Sequence, residues 1–382
     1  MRFFLASNGS RAPFLLRCLQ RSASGNPKPR RMSTVAPPLR LRCHHLHGLY
    51  GGYGYGGSGD SNGHGSEEMQ RLVVVMGATG TGKSKLSVEL STLFSGEIIN
   101  SDKIQVYRGL DITTNKISDA ERHSVRHHLL GELDPAAGEL SPAGFRALAG
   151  RSIVDIAARR RLPVLAGGSN SFVHALLVDR FDLRNDPFGA LRRPRAGREE
   201  AEEGLQFRCC FLWVHVEPAV LAEHLDRRVD EMVAEGMVEE LERYFAVEGT
   251  AQRHPGLGKA IGVPEFRGYF TARGGRTAAA YEAALRAIKA NTRQLAEEQV
   301  RKIERLSAMG WSLRRVDATA TVAARLTREG ADTAAPWRRD VAGPSVAAVA
   351  EFVKEDDNGG HHVLRRRSGS CRTRVVLPSI KV

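Results

Sequence analysis

The chain has 382 residues, 42% of them hydrophobic and 26% charged, which gives apolar material for one or two ordinary domains and excludes a disordered or collagen-like chain. Its net charge of +13 points to nucleic acid only until the charge is located: residues 1–59 hold Lys28 and eight arginines with no acid, the tail from Lys354 is also basic, and residues 60–353 balance to zero. No stretch approaches the roughly 18 to 20 consecutive apolar residues that cross a bilayer, and five scattered cysteines without a C-x-x-C pair exclude a disulfide framework or a zinc ribbon.

Residues 1–65 read as an organelle transit peptide followed by a Gly-rich linker. The N-terminus is acid-free, carries Arg and Ser, and shows short apolar patches at Phe3–Leu5 and Phe14–Leu16. A plastid is the expected destination, with the mitochondrion second; a plain extension without an address would leave the protein in the cytoplasm. The fold is expected to begin near Gln70. RLVVVM at 71–76 is a strand-type run, 83–94 a helix, EIIN at 97–100 a second strand, and 141–161 a helix opened by Ser-Pro. PVLA at 163–166 and CCFLWVHV at 209–216 are further buried-strand candidates. This alternation predicts an α/β fold, a P-loop NTPase-like parallel sheet flanked by helices, over residues 66–217.

The second half is expected to be helical, over 218–318. Apolar residues recur at Leu221, Leu225, Val229 and Met232, and again at Tyr281, Leu285, Ile288, Leu295, Ile303 and Leu306. A strand at 311–318 is expected to return to the sheet. Residues 319–382 mix Ala, Gly, Pro and Arg without sustained periodicity and are expected to form a poorly ordered tail.

Between the first strand and its helix stands Gly77-Ala78-Thr79-Gly80-Thr81-Gly82-Lys83-Ser84, a complete G-x-x-x-x-G-K-S in the required context. Its glycines let the backbone turn N–H groups onto a phosphate at a positive helix end. Lys83 adds a point charge, and the Ser84 hydroxyl is a candidate ligand for Mg²⁺. An ATPase, a small-molecule kinase and an enzyme with a diphosphate leaving group all fit such a loop. A motor-type NTPase is disfavoured because no later strand ends in an apolar run plus Asp-Glu. Asp102 follows the second strand, at the sheet edge where the loop opens. A carboxylate there can ligate a metal, take a proton from an amine, or cap the next helix.

GATGTGKS followed by EIINSDKIQVYRGLDITTNKI resembles the isopentenyltransferase family, in the wording of its plant adenylate isopentenyltransferase branch, whose products are cytokinins. His127-His128-Leu129-Leu130-Gly131, AGGSNSF at 166–172, RVDEMV at 228–233, KAIGVPEF at 259–266 and RKIERL at 301–306 extend the resemblance over about 70–318. It implies transfer of a dimethylallyl group from its diphosphate to the N6 amine of ATP, ADP or AMP, with Mg²⁺, Lys83 and Arg228 serving the diphosphate and Asp102 as general base. Helical periodicity agrees for Arg228, which borders the inward stripe of its helix whereas Arg227 faces away. Thr81, Gln105, Thr114, Lys116 and Lys259 are further candidates for substrate contact. His127 and His128 are read as structural before metal-binding, and Ser169, Asn170 and Ser171 as helix caps or substrate contacts. His215, Gly258 and Glu298 depart from the plant pattern, and the last two remove positive charge. The alternatives are the tRNA dimethylallyltransferase branch, a P-loop nucleotide or small-molecule kinase, and a weakened paralogue that only binds. A tRNA acceptor is not expected, because the body lacks a basic excess and no zinc module follows.

Overall fold

The computed structural model describes residues 69–182, 187–189, 204–247, 254–327 and 332–354. The transit-peptide and linker assignment at 1–65, and the tail beyond Lys354, lie outside them. Six strands, β1 (Arg71–Gly77), β2 (Gly96–Asn100), β3 (His127–His128), β4 (Leu162–Ala166), β5 (Arg208–His215) and β6 (Leu313–Asp317), form one sheet in the order β3-β2-β4-β1-β5-β6. Every pairing is parallel. Both faces are covered, so the strands read as continuous apolar runs rather than alternating ones. Leu72, Val74 and Met76 enter one core with Phe145, Ile153 and Phe172, while Val73 and Val75 enter another with Leu86, Leu90 and Val214.

Helix α1 (Lys83–Leu93) leaves the phosphate loop, and α2 (Pro142–Ala158) starts at Ser141, whose hydroxyl accepts the Gly144 N–H. A short α3 (Asn170–Leu177) follows β4. The helical stretch expected at 218–245 is two helices, α4 (Pro218–Ala234) and α5 (Met237–Ala246). Gly236 at φ 102° takes the left-handed conformation that ends one and starts the next. Helix α6 (Val263–Thr271) packs beside α7 (Ala278–Ala308), whose 31 residues extend about 46 Å. Its buried seam runs through Ala284, Ile288, Thr292, Ala296, Gln299, Ile303 and Leu306. Leu295, expected inside, is 38% exposed, because small residues hold the close approach there.

The tail reading needs correction for residues 319–354. Helix α8 (Thr319–Thr327) follows β6, and α9 (Ala334–Trp337) continues through a π turn into α10 (Gly343–Lys354). Trp337, Val341, Val349 and Phe352 are buried in the core that contains α1. The Arg71 guanidinium donates to the Val353 carbonyl at 3.0 Å. The apolar stripe is real, but the π turn and Gly343-Pro344 break its period, which is why it reads as irregular in sequence.

Candidate active site

Register brings the carboxyl ends of β1, β2, β4 and β5 to one edge, with Gly77 opposite Val214, Val75 opposite Ala166, and Asn100 opposite Ala166. Ligands of open parallel sheets bind at this edge, and here a cavity of about 1290 Å³ lies between the phosphate loop, the segment after β2, and α4. Thr79, Gly80, Gly82, Lys83, Ser84, Asp102, Gln105, Lys116 and Arg228 are among its lining residues.

Within the loop, Lys83 Nζ donates to the Ala78 carbonyl at 2.6 Å, and the Thr81 hydroxyl donates to the same oxygen at 3.0 Å. Thr81 is buried and closes the loop internally; it does not line the cavity. Gly82 caps α1 at φ 94°, and a Cβ there would come within 2.9 Å of the Trp337 ring, so no other residue fits. Burial, then Arg228, pushes the Lys83 ammonium down to about 8, against the pull of Asp102. An anion arriving at the loop offsets that burial cost.

Arg228 meets the loop from α4, its Nη2 donating to the Thr79 hydroxyl at 2.9 Å. Its Nε is buried without a partner among the described residues, and burial lowers the guanidinium to about 10, with Glu231 opposing and Arg325 adding to the shift. A guanidinium held this way beside a phosphate loop matches the fork geometry of a diphosphate.

Asp102 has two roles divided between its oxygens. Oδ1 accepts the N–H groups of Ile104 at 2.8 Å and Gln105 at 3.1 Å, which caps the following turn. Oδ2 accepts no hydrogen bond among the described residues and stands 3.4 Å from where a Cβ of Gly168 would be. The cap and base readings therefore apply to different atoms of one side chain. The Ser84 hydroxyl is exposed at the first turn of α1, on the cavity wall, and takes no protein hydrogen bond among the described residues. A lone hydroxyl completed by diphosphate oxygens and water suits Mg²⁺, which seldom takes an all-protein cage. No group of three or more His, Cys, Asp or Glu suited to a metal occurs among the described residues.

Other candidates divide. The Gln105 amide donates to the carbonyls of Thr114 and Asn115, and Lys116 to Gly109 and the Asp111 carboxylate, both on the cavity wall. Thr114 turns its hydroxyl to the Leu110 carbonyl at 2.7 Å and does not line the cavity. Lys259 pairs with Glu139, which also holds Lys103 at 2.7 Å, again off the cavity wall. His128 and Arg159 both hold Glu97 at 2.7 Å. Burial acts against that carboxylate, but its hydrogen bonds prevail and hold it at about 2. This pair therefore anchors β3, as its structural reading expects. Ser169 and Ser171 share a hydroxyl contact at 3.2 Å, and Asn170 donates to the Gln299 carbonyl. His215 ends β5 edge-on to Trp213, with Nδ1 buried and unpartnered among the described residues. Gly258 lies in the short turn Leu257–Lys259, and Glu298 takes a 3.4 Å hydrogen bond from Gln294 on the exposed side of α7.

Sequence reasoning missed Gln299, whose Oε1 accepts the Thr79 N–H at 2.8 Å while Nε2 donates to the Gly168 carbonyl at 3.0 Å. It ties the phosphate loop to the β4 edge, and a Cβ on Gly168 would stand 2.3 Å from its Nε2. Its place between Ala296 and Ile303 on the buried seam was the available signal. His224, Glu231 and Arg325 were missed as well and also line the cavity.

The family model for IPP transferase matches two overlapping stretches, residues 105–206 and 186–305. An adenylate isopentenyltransferase of Humulus lupulus is 48% identical over 299 residues, covering 74% of this chain and 90% of that protein. The chloroplastic adenylate isopentenyltransferase 8 of Arabidopsis thaliana is 46% identical, covering 75% and 87%. Among solved structures, the full-length tRNA isopentenylpyrophosphate transferase of Bacillus halodurans superposes with a TM-score of 0.57 at 26% identity, covering 76% of this chain and 100% of that one.

Proposed function

The chain belongs to the IPP transferase family, alongside the adenylate isopentenyltransferases of plants, and we propose that it is a prenyltransferase moving a dimethylallyl group from its diphosphate to the N6 amine of a free adenine nucleotide. The observation that carries this reading is one cavity lined by the phosphate loop, Lys83, Arg228 and Asp102, whose Oδ2 is unpartnered among the described residues. The donor reacts as its C1–O bond loosens and negative charge gathers on the departing diphosphate. Loop N–H groups, the Lys83 ammonium and the Arg228 guanidinium stabilise that charge where it develops. Ser84 would hold Mg²⁺, whose positive charge would further stabilise the leaving group. The adenine N6 lone pair is delocalised into the ring, so the amine attacks only as its proton leaves. Asp102 Oδ2 orients the amine and accepts that proton, while Oδ1 keeps the carboxylate fixed.

The acceptor is ATP or ADP before AMP, and not tRNA. Support comes from the neutral body of the chain and from the names of its relatives, although Lys259 off the cavity wall lends the phosphate-count preference nothing. Equal concentrations of tRNA, AMP, ADP and ATP, incubated with labelled dimethylallyl diphosphate and Mg²⁺, should put the label in ATP and ADP with release of pyrophosphate. Label in tRNA would overturn the acceptor, and production of ADP without a C5 adduct would make the protein a kinase.

Delivery to the plastid is supported by the acid-free N-terminus and by the chloroplastic relative. Residues 1–65 fused to a fluorescent protein should enter plastids; accumulation in mitochondria or a diffuse cytosolic signal would refute that address.

A further inference from the structure

His224 has no role in the chemistry above, yet it is sealed into the cavity wall at 6% exposure. It lies one helical turn before Arg228 on α4, so the two side chains share a face. Arg228 reaches the loop at Thr79, and the imidazole meets the next residue. A Cβ on Gly80 would stand 3.4 Å from His224 Cδ2, which turns the Cδ2–Nε2 edge of the ring toward the phosphate loop. Nδ1, on the other edge, is buried with no hydrogen-bond partner among the described residues. Packing alone does not account for such a group, because an apolar ring would fill the space without stranding a polar atom. A neutral imidazole carries one N–H. On Nε2, that proton faces the loop, and the stranded Nδ1 is left as a bare lone pair.

We infer that His224 is a further binding residue for the diphosphate, its Nε2–H donating to an oxygen seated over Gly80 beside the one held by Arg228. This rests on the reading of the loop as a diphosphate cradle. The surroundings keep the ring neutral: burial first, then Arg325 from α8 and Arg228 and Arg227 on its own helix, push it down to about 4 against Glu231. From the phosphate loop the facing residue is Gly80. A bound diphosphate opposes the field of those guanidinium groups and raises the pKa of the ring. Binding is therefore tighter as pH falls through the raised value, with uptake of a proton.

Pyrophosphate is the probe, titrated calorimetrically into the full chain and its His224→Phe and His224→Gln variants in buffers of different ionisation enthalpy. His224→Phe should bind pyrophosphate about tenfold more weakly, the usual loss for one hydrogen bond to a charged group, with AMP affinity within twofold of wild type. His224→Gln, whose amide can donate from a similar position, should recover part of that loss. Wild type should take up protons on binding as the pH approaches the free ring's value of about 4 from above, beyond any change in the ligand's own protonation, and neither variant should show that excess. Equal pyrophosphate affinity and equal proton uptake in His224→Phe and wild type would overturn the inference, as would a parallel loss of AMP binding. If His224→Phe does not fold, proton uptake by His224→Gln decides: its loss supports the contact and its persistence overturns it. Failure of wild type to bind pyrophosphate would remove the diphosphate reading of the loop, and this inference with it.

Discussion

Asp102→Asn should slow turnover by about 10²-fold or more, the usual cost of losing a general base, while the thermal melt and nucleotide binding stay close to wild type. The substitution separates the two functions of this side chain. An amide oxygen in the Oδ1 position still accepts the Ile104 and Gln105 N–H groups, so the cap survives. Nitrogen in the Oδ2 position cannot accept the adenine proton. Single-turnover formation of the prenylated nucleotide is the decisive measurement, because it excludes product release. A rate within a few-fold of wild type would reduce Asp102 to its cap.

Arg228→Ala should lower kcat/KM for the prenyl donor by about 10²-fold, the range seen when one preorganised donor to a developing anion is removed. Inhibition by pyrophosphate should weaken in parallel, with the acceptor KM unchanged. The guanidinium is buried at its Nε and fixed on Thr79, so the loss falls on the leaving group. Arg228→Lys should rescue little, because an ammonium lacks the fork and the reach of the planar group. A variant that raised only the acceptor KM would place this residue on the wrong substrate.

What could be read from sequence was the chemistry written in neighbouring residues. GATGTGKS occupies one turn between a strand and a helix, so its wording fixes its shape. Arg228 was legible because its helix has a clear stripe. Gln299 was not, since it is a polar residue on a seam where Thr292 and Ala296 are small and Leu295 was a misleading landmark. The order of residues 319–354 was hidden for a related reason, a stripe interrupted by the π turn and Gly343-Pro344. Thr114 and Lys259 show the opposite failure. Each sits beside family wording, yet a carbonyl and a carboxylate, respectively, hold them away from the cavity.

Trp337 lies against Gly82 and donates to the Glu89 carboxylate at 2.8 Å, with Lys85 4.4 Å from the ring centroid. Gln299 is likewise 220 positions from Thr79, and Val353 is 282 from Arg71. The phosphate loop is therefore among the first parts of the fold to leave the ribosome and among the last to be completed. A nascent chain carries the whole G-x-x-x-x-G-K-S long before the residues that brace it exist. Contacts of such long sequence separation form late and slowly, so competence to grip a diphosphate should arise only after residues 299–353 have emerged. Incomplete chains would then hold no prenyl donor.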